Sequence, residues 1–565
     1  MFPPAAEEAP QGFVRVINHS EKAGQVRIDA FDDSGMAYGP VMLSIDAGAT
    51  VHFNSGDLER GNAAKGLPEG IGSGPGDWRL QMSTILDVDI LTYIRTPDGF
   101  LTEMQQTVPA HEARHQVSIF NPGRNREQVS HLRLINPGEE VSEVTITGVD
   151  DAGRPGDAVS LTLAAGESRT FSSQQLQSGS GGLVGRLGAG QGKWRLTVAP
   201  TKPILVMNLL KSPTGHLANL SATPVDADEG EHSVWLFPPK SSLGREGFLR
   251  VINLSDTSGE VLIYAVDDDD GRQGLVSLTL GAGATVNVNS TDLEDGNTDK
   301  GLFGSTGAGA GDWRLELTSD LHIEVLAYVR TEDGFVTAIH DIAPRDANHH
   351  RLAVFNPGSN TQQASLLRLV NPTAELAQVS IRGIDDAGAA GGRVELTLPA
   401  GQSRTYFAWD LESGCGDLQG ALGDGAGKWQ LEVASEQPIV AMSLLESPTG
   451  HLTNLSDAIF RRLRLVTASD VFDELISGPV AQSSCVGCHV AGGAADDTRL
   501  TLVPGTTADH ARLNREAFAE FVTDVEGGAS LMLAKMRGDA SHGGGVQVAQ
   551  DSAAYASVQR FVRLV

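Results

Sequence analysis

The feature that most constrains this chain is that it repeats itself. Residues 12–20, GFVRVINHS, return as GFLRVINLS at 247–255, and NPGEEVSEVTITGVDDAG at 136–153 returns as NPTAELAQVSIRGIDDAG at 371–388. Both offsets are 235 residues, and each 235-residue unit is itself double. Asn18, Asn136, Asn253 and Asn371 all follow an Arg-apolar-apolar triplet, spaced 118, 117 and 118 apart. Trp78, Trp194, Trp313 and Trp429 each follow a Gly-Asp or Gly-Lys pair at nearly the same period. A fixed period means one structural unit used several times. Four copies are therefore expected, at 1–110, 111–228, 229–345 and 346–458. FPPAAEEAPQGFVRVIN at 2–18 matches FPPKSSLGREGFLRVIN at 237–253, which sets Met1 where Leu236 stands in SVWLFPP. The first copy is expected to be N-terminally truncated in mid-strand, with an export signal upstream.

Each copy has the pattern of antiparallel β-structure. In QVRIDAFDDSG, Val26, Ile28 and Ala30 alternate with Arg27 and Asp29 before a turn. Seven or so strands in roughly 115 residues, with turn residues every 8–12, predict an immunoglobulin- or fibronectin-like sandwich with the recurrent Trp as core anchor. The pairs Asp32/Asp33, Asp150/Asp151, Asp267/Asp268 and Asp385/Asp386 suit tight turns. Calcium, the sharper reading, needs six to eight oxygens that the sequence does not assemble. His216 and His451 fall where the odd-numbered copies have Phe100 and Phe335, a swap that points to packing. Cys415 aligns with Ser180 and has no partner in view.

After residue 458 the pattern changes. A basic linker, IFRRLRLV, leads into helical periodicities over 466–565, with Ser469, Asn514, Ser530 and Ser552 as helix-opening residues. The whole chain is thus expected to be four tandem all-β sandwiches followed by a small all-α domain. Within that last domain lies SSCVGCH, which holds two of the chain's 3 cysteines. Cys-X-X-Cys-His is the attachment signal of c-type haem: two thiols three apart reach the two vinyl groups of one porphyrin edge, and the next imidazole binds the iron. Cys485 and Cys488 are the expected covalent anchors and His489 the axial ligand. With 3 Cys and 15 His, about 4 in 10,000 shuffled chains would contain this pentapeptide. A thioredoxin-type pair calls for a βαβ setting, and zinc calls for two further ligands, for which only the isolated His510 and His542 are at hand. A structural disulfide is the remaining alternative.

For the sixth ligand, His542 in ASHGGGVQ leads, because a glycine run lets backbone approach a flat macrocycle. Met536 is the alternative, with Met532 or an open position behind it. The metal ligands are then His489 and His542.

The segment VAQSSCVGCHVAGGAADDTRL … SLMLAKMRGDASHGGGVQ … YASVQRFV resembles the small c-type cytochrome domains appended to large secreted bacterial proteins. In that group the Cys-X-X-Cys-His block is paired with a downstream Lys-x-x-Gly … His-Gly-Gly-Gly block, here Lys535, Gly538 and His542 to Gly545. The resemblance implies one covalent haem c, a cytochrome c-like fold over 466–565 and one-electron transfer. The chain lacks the Met-Pro-type distal loop of ordinary soluble cytochromes c. The four β copies are similar to tandem sandwich repeats of exported marine-type bacterial proteins.

Function classes can be narrowed further. A net charge of −29 disfavours nucleic-acid partners, and no run of 18 apolar residues exists to span a membrane. Thioether attachment of haem takes place outside the cytoplasmic membrane, so a periplasmic or extracellular site is expected. From Asp470 on, 7 Lys/Arg face 12 Asp/Glu, a balance that favours docking to a basic redox partner. The leading expectation is an exported mono-haem electron carrier, not an enzyme, with the sandwiches as spacer or docking rod. The alternatives are an adhesion or structural repeat protein with an accessory haem domain, its β copies touching a surface or glycan, and then a haem enzyme such as a peroxidase, for which no distal Arg/His pair is evident.

Overall fold

Every recurrent Trp is buried, and a sandwich core is built around each of them. The computed structural model describes residues 1–5, 10–96, 99–104, 114–221, 231–332, 334–339, 347–456, 489, 498–503, 510–525, 528–537, 555 and 558. In the second copy one sheet runs in the order Val184–Gly185, Val159–Leu163, Ser142–Asp150, Trp194–Pro200, His115–Phe120. The other runs Ser168–Ser172, Val129–Ile135, Leu205–Lys211, Leu217–Asn219. Val144, Ile146, Leu196 and Val198 of the first meet Leu132, Leu134 and Val206 of the second across a shared core. All pairings are antiparallel among the described strands. The same plan recurs in the other copies. An immunoglobulin sandwich pairs its second strand with the first and fifth. Here the second strand lies between the fifth and the penultimate strand, so the structure corrects the immunoglobulin-like expectation to a different sandwich order.

The recurrent Asn is a staple. Asn18 Nδ2 donates to the carbonyls of Lys22 and Asp46, and Asn136, Asn253 and Asn371 make the same two bonds four and 28 residues on. One buried side chain thus ties the end of its strand to two loops, and its loss would release both loop carbonyls. The Trp indole is satisfied by a Glu in three copies: Trp78 by Glu59, Trp313 by Glu294 and Trp429 by Glu412. The other oxygen of Glu412 accepts from Gly358 N. In the second copy Gln177 stands in that place with a single carbonyl oxygen, which accepts from Gly123 N, and buried Trp194 Nε1 has no acceptor.

The copies do not extend as a rod. The strand carrying the Arg-apolar-apolar triplet is buried on both faces, as in Val129–Ile135 and Ala364–Val370. One face belongs to its own core. The other is covered by a neighbouring copy, through apolar seams such as Ile17, Leu91, Ala353 and Val354 between copies one and four. Equivalent seams join copies one and two, two and three, and three and four. The four sandwiches therefore close into a ring. Closure buries an apolar face that a rod would leave wet at its ends.

Two helices among the described residues follow the ring, His510–Asp524 and Gly528–Arg537. Asn514 does not open the first, as expected, but lies within it. Its buried carboxamide accepts from Val503 N at 2.7 Å and donates to Val503 O at 3.0 Å. The second helix begins two residues before the expected Ser530. The expected helix after Ser469 lies outside the described residues, as does Ser552.

Candidate functional site

Electrostatics concentrates at the ring seams. Arg15, Arg133, Arg250 and Arg368 are buried, and each reaches the second Asp of the pair in the preceding copy: Asp386, Asp33, Asp151 and Asp268, at 2.5–2.8 Å. That Asp also accepts from the backbone of its own Gly-x-Trp loop, as Asp268 does from Asp312 N. Gly311 there has φ 74°, and a Cβ would overlap Asp268 Oδ2, so glycine is required at this close approach. The first Asp of each pair closes the hairpin turn, as Asp150 does with Ala152 N and Arg154 N. The turn reading thus holds for one Asp of each pair, and the second holds the ring together. These carboxylates direct their oxygens to turn amides and guanidinium groups.

At the centre of the ring Phe100, His216, Phe335 and His451 meet, one from each copy. The opposed Phe rings lie 4.6 Å apart and the opposed His rings 5.0 Å. Burial, with a further contribution from His216, pushes His451 down to about 3. His451 is thus a neutral packing element. No group of three or more His, Cys, Asp or Glu able to hold a metal occurs among the described residues.

Of the Cys-X-X-Cys-His motif, His489 is described; Cys485, Cys488 and His542 lie outside the described residues. The imidazole is held by a turn. Nδ1 lies 3.0 Å from Leu500 O and 3.2 Å from Thr498 Oγ1, and Thr498 Oγ1 itself donates to Leu500 O at 3.1 Å. Leu502 N donates back to His489 O. A carbonyl can only accept, so Nδ1 is the donor in this contact, and in the neutral ring the lone pair is then on Nε2. That is the tautomer in which a metal-binding imidazole is normally oriented by its outer hydrogen bond. The residues present therefore fit an axial-ligand role for His489.

Behind this turn lies an apolar cluster of Leu502, Phe518, Ala519, Met532 and Val558, flanked by Leu500, Phe521 and Met536. Met532 is buried within it and Met536 is half-buried one turn further on. The sequence had no means to single out Thr498 or the Leu500 carbonyl: a backbone acceptor leaves no signature in residue identity. The doubled function of the Asp pairs was also missed, because each partner Arg sits in another copy.

No protein-family model matches the chain, and no characterised protein sequence does. Among solved structures, it is similar to a tetra-tandem repeat in the extending region of a large adhesion protein, at 13% identity and TM-score 0.10, covering 77% of this chain and 91% of that one. A second is an anti-sigma factor domain-containing protein, at 10% identity and TM-score 0.12, covering 77% and 98%. A third is a Bacteroides ovatus mixed-linkage glucan utilization locus protein, SGBP-B, in complex with a mixed-linkage heptasaccharide, at 11% identity and TM-score 0.11, covering 72% and 89%. No described helix is long and apolar enough to cross a membrane.

Proposed function

We propose that the chain is an exported mono-haem c-type electron carrier whose four sandwiches form a closed docking platform. The observation that carries this reading is the pinned His489: a Cys-X-X-Cys-His histidine whose Nδ1 donates to a backbone carbonyl, with its lone pair directed to Nε2. Cys485 and Cys488 would anchor the porphyrin, His489 would bind its iron, and His542, or else Met536, would complete the coordination in a cytochrome c-like domain. The bound haem would supply one-electron exchange between ferrous and ferric iron, without substrate chemistry. The chain's own contribution is to orient one imidazole, to wall the site with Leu500, Leu502 and Phe518, and to present an acidic surface to a basic redox partner. Such chemistry belongs in the periplasm or outside the cell. A pyridine haemochrome spectrum of the full chain, made with a c-type maturation system, tests the proposal. One covalent haem per chain is expected; colourless protein, or pigment extracted by acid acetone, overturns it.

A further inference from the structure

The 235-residue repeat relates the junction of copies one and four to the junction of copies three and two. Gln363 of copy four donates to Gly99 O of copy one at 2.7 Å, and Gln128 of copy two donates to Gly334 O of copy three at the same distance. The two junctions are thus braced alike, but the residues around the brace differ in charge.

At the junction of copies three and two the charges cancel. Arg330 stacks on Phe248 and pairs with Glu246 at 2.8 Å, and Lys240 pairs with Asp295 at 2.5 Å. Glu127 stands next to Gln128 in the chain. At the junction of copies one and four each of these acids is replaced: Glu246 by Gln11, Asp295 by Arg60 and Glu127 by Gln362. Arg95 keeps the stack, on Phe13, but its hydrogen bond goes to the neutral Gln11 Oε1 at 3.1 Å. Arg60 Nη2 lies against Gly56, where a Cβ would come within 2.4 Å of it, and the counterpart of Gly56 is Thr291.

These changes surround a cleft of about 750 Å³, the size of a small-molecule site. Arg60 and Arg95 line it and are solvent-exposed, and no carboxylate lines it among the described residues. The carboxamides of Gln11, Asn54, Gln362 and Gln363 and the hydroxyls of Ser447 and Thr449 complete the polar wall. Carboxamides and hydroxyls both donate and accept, which suits a ligand rich in hydroxyls, and a guanidinium fork suits an acid group. The chain's net charge of −29 does not cancel this pair at close range, because exposed charges are screened beyond about 8 Å at physiological ionic strength.

We propose that the cleft between copies one and four binds an acidic saccharide, with Arg60 and Arg95 on its acid group and the carboxamides and hydroxyls on its ring hydroxyls. The acid group is a uronate carboxylate or a sulfate ester, both of which present paired oxygens to a guanidinium.

The test is calorimetric titration of the full chain with a galacturonate trisaccharide, a sulfated galactose trisaccharide, the neutral galactose trisaccharide and inorganic phosphate. Binding of either acidic sugar is expected, weakening with added salt, and which of the two binds identifies the acid group. Arg60→Gln and Arg95→Gln are each expected to weaken it by about tenfold or more, the loss that follows removal of a charge-assisted hydrogen bond. Arg330→Gln, at the neutralised junction, is expected to leave it unchanged. Glu7 and Glu8 lie outside the described residues, so the titration is repeated with both changed to Gln; acidic-sugar binding by either protein supports the cleft. No acidic-sugar binding by either protein overturns the proposal. Equal binding of the neutral sugar or of phosphate, or undiminished binding by the two Arg variants, overturns it as well.

Discussion

Two histidine environments in this molecule use the same side chain for opposite ends. At the ring centre His216 and His451 sit among aromatic rings, and their counterparts are phenylalanines, so the imidazole serves as a flat, buried disc. At the turn after residue 488 a single imidazole is oriented by a carbonyl and a hydroxyl, with Nδ1 as the donor to the carbonyl. Burial alone makes a histidine a packing element. A directed hydrogen bond makes it a candidate ligand.

The comparison is broken most severely by removing the ligand. His489→Ala, produced with the maturation machinery, is expected to lose the low-spin haem spectrum entirely, while His451→Phe keeps it; absorption spectra check both. Next in size, Arg368→Ala is expected to destabilise the ring by about 1–3 kcal/mol, because it strands half-buried Asp268 and Asp312 without their cation. Chemical denaturation of the ring should show that loss while the haem spectrum stays unchanged.

Acid sharpens the contrast at the ring centre. His451 is neutral in the fold, with its pKa pushed from 6.5 to about 3, so the unfolded state takes up the proton first. Stability is therefore full above about pH 6.5 and falls by about 1.4 kcal/mol per pH unit on the way down towards 3. His451→Phe is expected to flatten that slope, measured as Tm against pH. The smallest effect is a gain: Gln177→Glu offers Trp194 Nε1 the second oxygen that Glu412 provides to Trp429, for about 1 kcal/mol of added stability by thermal unfolding.

Much of this was legible in the sequence where the cause is local. Alternating apolar residues in QVRIDAF announced a strand, and Val26, Ile28 and Ala30 do all bury on one face of it. The first Asp of each pair was recognisable because an Asx-type turn is completed within four residues. Asn514 was misjudged as a helix-opening residue because its side chain satisfies Val503 from within the helix, a contact across 11 residues. The Phe/His swap was visible as packing, but not that all four rings meet.

By itself the sequence determined the repeat, the β-periodicity, the turns and the Cys-X-X-Cys-His motif, because each depends on residues a few positions apart and on the fixed geometry of the backbone. Ring closure was decided only in three dimensions. Arg15 finds its carbonyl at Ala353, 338 residues away, and Thr453 bonds Leu101 across 352. Such contacts exist only once buried faces have chosen their partners, a choice made by shape and desolvation over the whole assembly and written in no short stretch of chain.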